Sequence, residues 1–366
     1  MKLCPRPVVL LIVVMCVGVM PARAESTPGP SRMVEVAEGV SLRVIEAGKP
    51  DAGPELVFIP GWSTGADIWR HQIDAFAKTH RVIAFDPRSQ GESTKTTRGN
   101  TPETRAQDLH ALLEPLGVRH PVLIGWSQGV QDVAAYLERY GTKELAGIVL
   151  VDAAVSDGAD GMAAHPQETA EQFKMFAVYQ AHQAEYLGGM MRAIISKPQG
   201  DDAMKGLVST GMKTPPDVGI GMLVADMFGV NRTPALKKIE CPTLIIASAK
   251  SDELSRQQAA ANQVPHAHFE KIDDAAHAVF LDQPDRFDEL LKSFVASLGT
   301  KSRAQLMPLR WRSARPRHGE QAVVAPYPAT ASPWHFFKSS LPEARTGIAS
   351  TRWTCLGIHK FGTPAS

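Results

Sequence analysis

The chain has 366 residues, of which 44% are hydrophobic, 21% charged and 7% aromatic. This balance excludes a membrane bundle, which would be more apolar, and a largely disordered chain, which would be more polar. Thirty-nine Lys and Arg against 38 Asp and Glu give a formal charge of +1, so no strong field favours nucleic acid as a partner. The basic residues are unevenly placed, because residues 301–366 carry ten Lys or Arg and two Asp or Glu.

The first 24 residues have the composition of a signal peptide. Lys2 and Arg6 precede an apolar run over 8–20, and Ala-Arg-Ala at 22–24 matches the small-residue pattern that signal peptidase cleaves. The apolar run is shorter than the roughly 20 residues needed to span a bilayer. We therefore expect cleavage after Ala24 and a secreted or periplasmic protein with no integral membrane segment.

Short apolar segments then alternate with amphipathic ones, which predicts an α/β fold with a mostly parallel sheet. Two segments of alternating polarity, 33–36 and 41–46, predict a hairpin ahead of that sheet. The predicted strands are 55–59, 81–85, 122–125, 147–151, 243–247 and 268–272, and most of them are apolar throughout, as strands buried on both faces should be. The predicted helices are 66–79, 101–116, 128–140 and 284–298.

The alternation is interrupted twice, which sets the predicted domain organisation. Residues 156–236 are rich in Met, Ala and Gln and predict a helical insertion within one domain over 33–298. Residues 301–366 show neither the period of a strand nor that of a helix, which predicts a disordered basic extension. The methionines of the insertion either offer an adaptable apolar surface to a ligand or fill the insertion's own core. They are Met175, Met190, Met191, Met212, Met222 and Met227.

Cysteine usage gives no sign of a disulfide framework or a metal site. Only Cys241 and Cys355 remain after the predicted cleavage, and Cys241 precedes a predicted strand, where a buried thiol is expected. No CxxC or Cys/His spacing is present, so we expect neither metal nor cofactor.

The strand at 122–125 leads into Gly-Trp-Ser-Gln-Gly at 125–129, and a predicted helix follows. In such a strand–turn–helix the serine is held in a strained conformation, and side chains two residues to either side would collide. Gly125 and Gly129 remove that collision, so Ser127 is the predicted catalytic nucleophile.

A serine hydroxyl needs a base, and the base needs an orienting acid. His277 is the predicted base, because it alone among the 12 His follows a strand end between small residues. Asp252 follows the strand at 243–247 and is the predicted acid, in the chain order Ser, Asp, His. Asp152, which follows the strand at 147–151, and the adjacent Glu253 are the alternatives.

Backbone N–H groups should stabilise the oxyanion. Gln128, directly after the nucleophile, is one predicted donor residue, and Trp62, in the loop after the strand at 55–59, is the other. Trp62 and Trp126 are also predicted to line the substrate pocket.

Over 33–298 the chain resembles the α/β-hydrolase superfamily, in its single-domain esterase and lipase-like branch with a helical cap. This resemblance implies an α/β-hydrolase fold with the insertion as cap, and assigns 86–93 to a structural turn. Two motifs depart from the family pattern: Pro60 stands where His is frequent, and Ala249 where Gly is frequent before the acid. A serine at position 127 argues against relatives with an aspartate nucleophile. The motifs that carry the resemblance are 60–62, 86–93, 125–129 and 276–284.

The resemblance implies a serine hydrolase that cleaves small carboxylic esters through an acyl-enzyme, with no nucleic-acid partner. The same triad could instead serve a lactonase, a prolyl aminopeptidase, a perhydrolase or a carbon–carbon hydrolase. A ligand-binding homologue without catalysis is the remaining alternative.

Overall fold

The computed structural model describes residues 31–49 and 53–300. The predicted signal peptide, 1–24, and the predicted basic extension, 301–366, lie outside the described residues.

Eight strands and twelve α-helices make up the described chain. The strands are β1 (Ser31–Ala37), β2 (Val40–Ala47), β3 (Leu56–Ile59), β4 (Val82–Phe85), β5 (Val122–Trp126), β6 (Gly147–Val151), β7 (Thr243–Ser248) and β8 (Ala267–Ile272). The helices are α1 (Arg70–Phe76), α2 (Pro102–Leu113), α3 (Gln128–Tyr140), α4 (Gly158–Ala164), α5 (Pro166–Ala181), α6 (Gln183–Ile194), α7 (Asp201–Gly211), α8 (Pro216–Phe228), α9 (Thr233–Leu236), α10 (Leu254–Gln263), α11 (Val279–Asp282) and α12 (Pro284–Thr300).

The strands form one sheet in the order β1-β2-β4-β3-β5-β6-β7-β8. The hairpin β1–β2 joins β4 in antiparallel pairing, and every pair from β4 to β8 is parallel. Because parallel strands end at the same edge, the loops after β3, β5, β6, β7 and β8 converge there, which is where ligands bind in open α/β sheets. The predicted fold class, a mostly parallel α/β sheet, is confirmed.

Both faces of the sheet are covered over β3 to β7, which explains why these strands are largely apolar. In β3, Leu56 and Phe58 face a core shared with α1, α12 and the helices between β6 and β7. Val57 and Ile59 face a second core, shared with α2, α3 and α10. β8, at the end of the sheet, is only partly buried, as an edge strand can be.

The predicted helical insertion, called the cap below (residues 156–236), holds α4 to α9 between β6 and β7. Four of its methionines, Met190, Met191, Met222 and Met227, are buried in the core that the cap shares with the sheet. Met212 is 41% exposed. Most of the methionines therefore fill the cap core.

Two helical predictions differ from the structure. The segment 66–79 begins with a 3₁₀ turn, Ala66–Trp69, before α1. α10 was not predicted, because its sequence, LSRQQAAANQ, has no apolar stripe and buries only Gln257 and Ala260. No helix in the described ranges has the length and apolarity needed to cross a bilayer.

Candidate active site

Ser127 lies at the turn between β5 and α3 with φ 56° and ψ −119°, a left-handed conformation that is strained for a residue with a side chain. The flanking glycines make this turn possible. A Cβ on Gly125 would lie 2.5 Å from the carbonyl oxygen of Gly129, and one on Gly129 would lie 2.6 Å from that of Ile59. The predicted strand–turn–helix and its steric reason are both confirmed.

The loop after β3 passes directly over this turn. A Cβ on Gly61 would lie 3.1 Å from Cβ of Ser127 and 2.9 Å from the ring of Trp126. Glycine at position 61 therefore allows the backbone that carries Trp62 to approach the serine.

His277 lies in the loop between β8 and α11 and its side chain is mostly buried. Its Nδ1 lies 2.9 Å from Oδ2 of Asp152. Nε1 of Trp126 donates to the carbonyl oxygen of His277 over 3.0 Å, and the two rings lie 5.2 Å apart. His277 is thus held through both its ring and its backbone carbonyl.

Asp152, one of the two alternatives to the predicted acid Asp252, is a carboxylate in hydrogen-bonding contact with Nδ1 of His277. It follows β6 with φ 46°, a left-handed turn that directs the side chain into the site, and is 1% exposed. Its Oδ1 accepts hydrogen bonds from the backbone N–H of Ser248 at 2.8 Å and from Nε2 of Gln257 at 3.3 Å. The buried carboxylate of Asp152 is therefore in contact with the imidazole and with two further donors.

Asp252 lies in the turn between β7 and α10 and is partly exposed. Glu253, the other alternative, is buried; its Oε2 accepts from the backbone N–H of Ala154 and its Oε1 pairs with Arg256. Burial raises the pKa of Glu253 to about 7, against the opposing effect of Arg256.

A carboxylate that the sequence analysis did not identify holds the loop of His277. Asp282 accepts hydrogen bonds from the backbone N–H groups of Ala276, Ser196 and Lys197 and from the hydroxyl of Ser196. It thereby joins the loop to the end of α6, where the N–H of Ala278 also donates to the carbonyl of Ile194.

The two predicted oxyanion residues lie on either side of Ser127. Gln128 is the first residue of α3, where a backbone N–H has no partner inside the helix. Trp62 follows Gly61 in the overlying loop, which Thr64 closes by donating its hydroxyl to the carbonyl of Gly61 over 2.7 Å. Within the described residues, neither N–H donates a hydrogen bond in a turn or to a side chain.

The two tryptophans predicted to line the pocket differ in their surroundings. The ring of Trp62 packs against Tyr179 and Tyr186 of the cap, with centroids 4.8 and 6.2 Å away. Trp126 packs edge-on against Trp69 and Phe280, below the loop of His277. Trp126 therefore supports the histidine, while Trp62 lies between the catalytic edge and the cap.

A buried charged network, also not identified from the sequence, extends from Gln128 into the cap. Nε2 of Gln128 donates to Asp226 of α8, and the other oxygen of Asp226 pairs with Arg105 at 2.7 Å. Arg105 also pairs with Asp132 at 2.7 Å. Burial raises the pKa of Asp132 to about 7 and raises that of Asp226. Asp226 had one visible signal: it is a lone charge in the apolar segment MLVADMF.

Among residues 31–49 and 53–300, no group of three or more His, Cys, Asp or Glu side chains is arranged to hold a metal ion. Cys241 is a buried free thiol, and burial raises its pKa to about 12.

Comparison with known proteins gives the chain its family. A sequence profile of the Alpha/beta hydrolase family matches residues 56–290, more than half of the chain. The bifunctional esterase/perhydrolase DCH of Acinetobacter calcoaceticus is 36% identical over 121 residues, which cover 33% of this chain and 44% of DCH. A non-heme chloroperoxidase of Streptomyces lividans is 28% identical over 280 residues, which cover 72% of this chain and 99% of that enzyme.

Solved structures of other proteins share this fold. The structure of esterase EaEST from Exiguobacterium antarcticum superposes with a TM-score of 0.66 at 20% identity, covering 72% of this chain and 98% of that one. Together with the eight-stranded sheet and the turn at Ser127, these matches show that the chain belongs to the alpha/beta hydrolase family.

Proposed function

We propose that this protein hydrolyses small carboxylic esters through an acyl-enzyme on Ser127, with His277 as base and Asp152 as the acid that orients it. The observation that carries the proposal is the hydrogen bond from Nδ1 of His277 to Asp152, at the same sheet edge as the strained turn of Ser127. The esterase activity in the name of DCH supports the substrate class.

In the first step, Nε2 of His277 takes the proton of the Ser127 hydroxyl while its oxygen attacks the ester carbonyl carbon. Asp152 fixes the tautomer with the proton on Nδ1 and stabilises the imidazolium that forms. Besides the imidazole, two donors hold the Asp152 carboxylate, from Ser248 and Gln257, so it is already oriented before substrate binds.

The N–H groups of Trp62 and Gln128 then stabilise the tetrahedral oxyanion. The imidazolium protonates the departing alcohol, and water, deprotonated by His277, attacks the acyl-enzyme to release the acid and restore Ser127. No step requires a metal or a cofactor.

Perhydrolysis is the second candidate, favoured by the names of DCH and of the Streptomyces lividans chloroperoxidase. In that reaction hydrogen peroxide replaces water: one peroxide oxygen attacks the acyl carbon and His277 accepts its proton. The acyl–oxygen bond to Ser127 then breaks, the imidazolium returns the proton to the serine oxygen, and a peracid leaves. The ratio of peracid to acid formed from ethyl acetate at rising peroxide concentration separates the two activities.

Export is part of the proposal and is supported by the basic, apolar and small-residue order of residues 1–24. Mass spectrometry of the protein purified from its native host tests it. A mature chain beginning at Glu25 is expected, and one that retains Met1 would contradict export with cleavage.

The activity is tested by fluorophosphonate labelling and by turnover of p-nitrophenyl esters of graded chain length. Wild type is expected to be labelled on the peptide that carries Ser127. Ser127→Ala is expected to lose label and to lower kcat by about 10⁵-fold or more, with the fold intact. Ser209→Ala, at an exposed serine of α7, is the matched control and should keep both. A Ser127→Ala variant that keeps more than trace turnover would refute the assignment.

A further inference from the structure

Helix α8 of the cap contacts both residues whose backbone N–H groups are the proposed oxyanion donors. The carbonyl oxygen of Gly219 accepts a hydrogen bond from Nε1 of Trp62 over 2.9 Å. The carboxylate of Asp226 accepts one from Nε2 of Gln128. Gly219 and Asp226 are seven residues apart, about two turns, and therefore lie on the same face of the helix, about 10 Å from each other.

The contact at Trp62 is reinforced by its neighbour. Ser63 is buried with φ 52°, and its hydroxyl lies 3.3 Å from the hydroxyl of Tyr179 in α5. Tyr179 in turn packs so closely on α8 that a Cβ on Gly219 would lie 2.8 Å from its hydroxyl oxygen. A left-handed serine backbone is strained, so this loop needs external contacts to hold its conformation.

The contact at Gln128 is reinforced by buried charge. Asp226 is paired with Arg105, which also pairs with Asp132 of α3, the helix that begins at Gln128. Although burial opposes the charge on Arg105, the two aspartates raise its pKa, so the guanidinium stays charged. The hydroxyl of Ser156, where the cap begins, donates to the carbonyl of Asp226 over 2.7 Å. Both the side chain and the backbone of Asp226 are therefore fixed.

We propose that α8 is a brace for the oxyanion hole, and that Asp226 and Tyr179 are positioning residues that set the direction of the Gln128 and Trp62 N–H groups. The cap then contributes to stabilisation of the transition state as well as to the walls of the site. This inference rests on the proposed acyl-enzyme function, because it concerns the donors of that reaction.

The brace is tested with Asp226→Asn and Tyr179→Phe, which keep side-chain size but weaken the contacts of one brace residue each. Two ligands are compared: an alkylboronic acid, which bonds to the serine oxygen and presents a tetrahedral oxygen to the donors, and a planar amide of the same acyl group. For Asp226→Asn, kcat/KM is expected to fall about 10- to 100-fold, and the Ki of the boronic acid should rise by the same factor. The Ki of the amide should change less than about threefold, because the planar ground state uses the donors less.

Tyr179→Phe should show the same pattern with a loss of about three- to tenfold, since it removes the neutral hydrogen bonds of the hydroxyl with Ser63 and Gln183. It also keeps the proposal testable where Asp226→Asn does not fold. Lys205→Ala, at an exposed pair with Asp202 in α7, is the control and should match wild type. Equal weakening of the amide and the boronic acid would overturn the brace, since it would show that the cap only seats the ligand.

Failure of the brace and of the proposed function are distinguishable. Variants that equal wild type, with wild type labelled by fluorophosphonate and active on esters, would overturn the brace alone. A wild type that neither takes the label nor cleaves esters would overturn the proposed function, and the brace with it.

Discussion

Two neighbouring turns each offer a carboxylate to the active-site edge, and they differ in how that carboxylate is held. Asp152, after β6, is buried in a left-handed turn and accepts hydrogen bonds from Ser248, Gln257 and His277. Asp252, after β7, is partly exposed. A carboxylate that orients a catalytic imidazole must keep one geometry, and the buried donors around Asp152 fix its geometry.

The two turns are also joined to each other. Gln257, on the helix that follows Asp252, donates both to Asp152 and to the hydroxyl of Ser251. Glu253 accepts from the N–H of Ala154, two residues beyond Asp152. The turn after β7 therefore supplies support to the carboxylate of the turn after β6. This division of roles leads to three predictions.

The largest effect is expected from removing the charge of Asp152. Asp152→Asn should lower kcat by about 10³- to 10⁴-fold, because an amide does not stabilise the imidazolium and can favour the wrong tautomer. Asp252→Asn is the matched variant in the other turn and should lose less than about tenfold. The measurement is steady-state hydrolysis of p-nitrophenyl butyrate. A larger loss in Asp252→Asn than in Asp152→Asn would reverse the comparison and make Asp252 the acid.

A smaller effect is expected at the amide that joins the turns. Gln257→Met keeps the side-chain length but removes the donor to Asp152, so kcat should fall about three- to tenfold with little change in KM. Gln263→Met, at the exposed end of the same helix, is the control for altered helix content. Unchanged kcat in Gln257→Met would show that Ser248 and His277 suffice to hold the carboxylate.

The smallest effect is a change in how stability depends on pH. The pKa of Glu253 is raised from 4.5 to about 7 in the folded protein, so between these values the folded state keeps a proton that the unfolded state has lost. The free energy of unfolding must therefore decrease as pH rises from about 4.5 to 7, and this contribution levels off above pH 7. Glu253→Gln should remove that contribution.

The measurement is urea unfolding of both proteins at pH 5 and pH 8. Relative to wild type, Glu253→Gln should become more stable at pH 8 than at pH 5 by about 1–3 kcal/mol, at about 1.4 kcal/mol per pKa unit. Glu289→Gln, at an exposed position of α12, should show no such change. The absence of a difference would mean that Glu253 is ionised in the folded state at both pH values.

Local patterns were sufficient for the elements whose geometry depends on neighbouring residues. The buried strands were predicted to within one residue at each end, since runs buried on both faces are apolar throughout. The turn at Ser127 was predicted because Gly125 and Gly129 avoid a steric collision inside a segment of five residues. α10 was missed because its packing is carried by Gln257 and Ala260, which give no apolar period.

The sequence by itself determined the α/β sheet, the strained serine and the histidine loop, because each follows from residue type and short-range sterics. Only the tertiary structure shows that Asp152 contacts His277, since Asp152 and Asp252 follow adjacent parallel strands and have the same local pattern. It also decided the contacts of Asp226 with Gln128 and of Asp282 with Ser196, which join the cap to the catalytic edge. Such contacts depend on where distant segments meet, and a pairing across 98 residues leaves no local period in the chain.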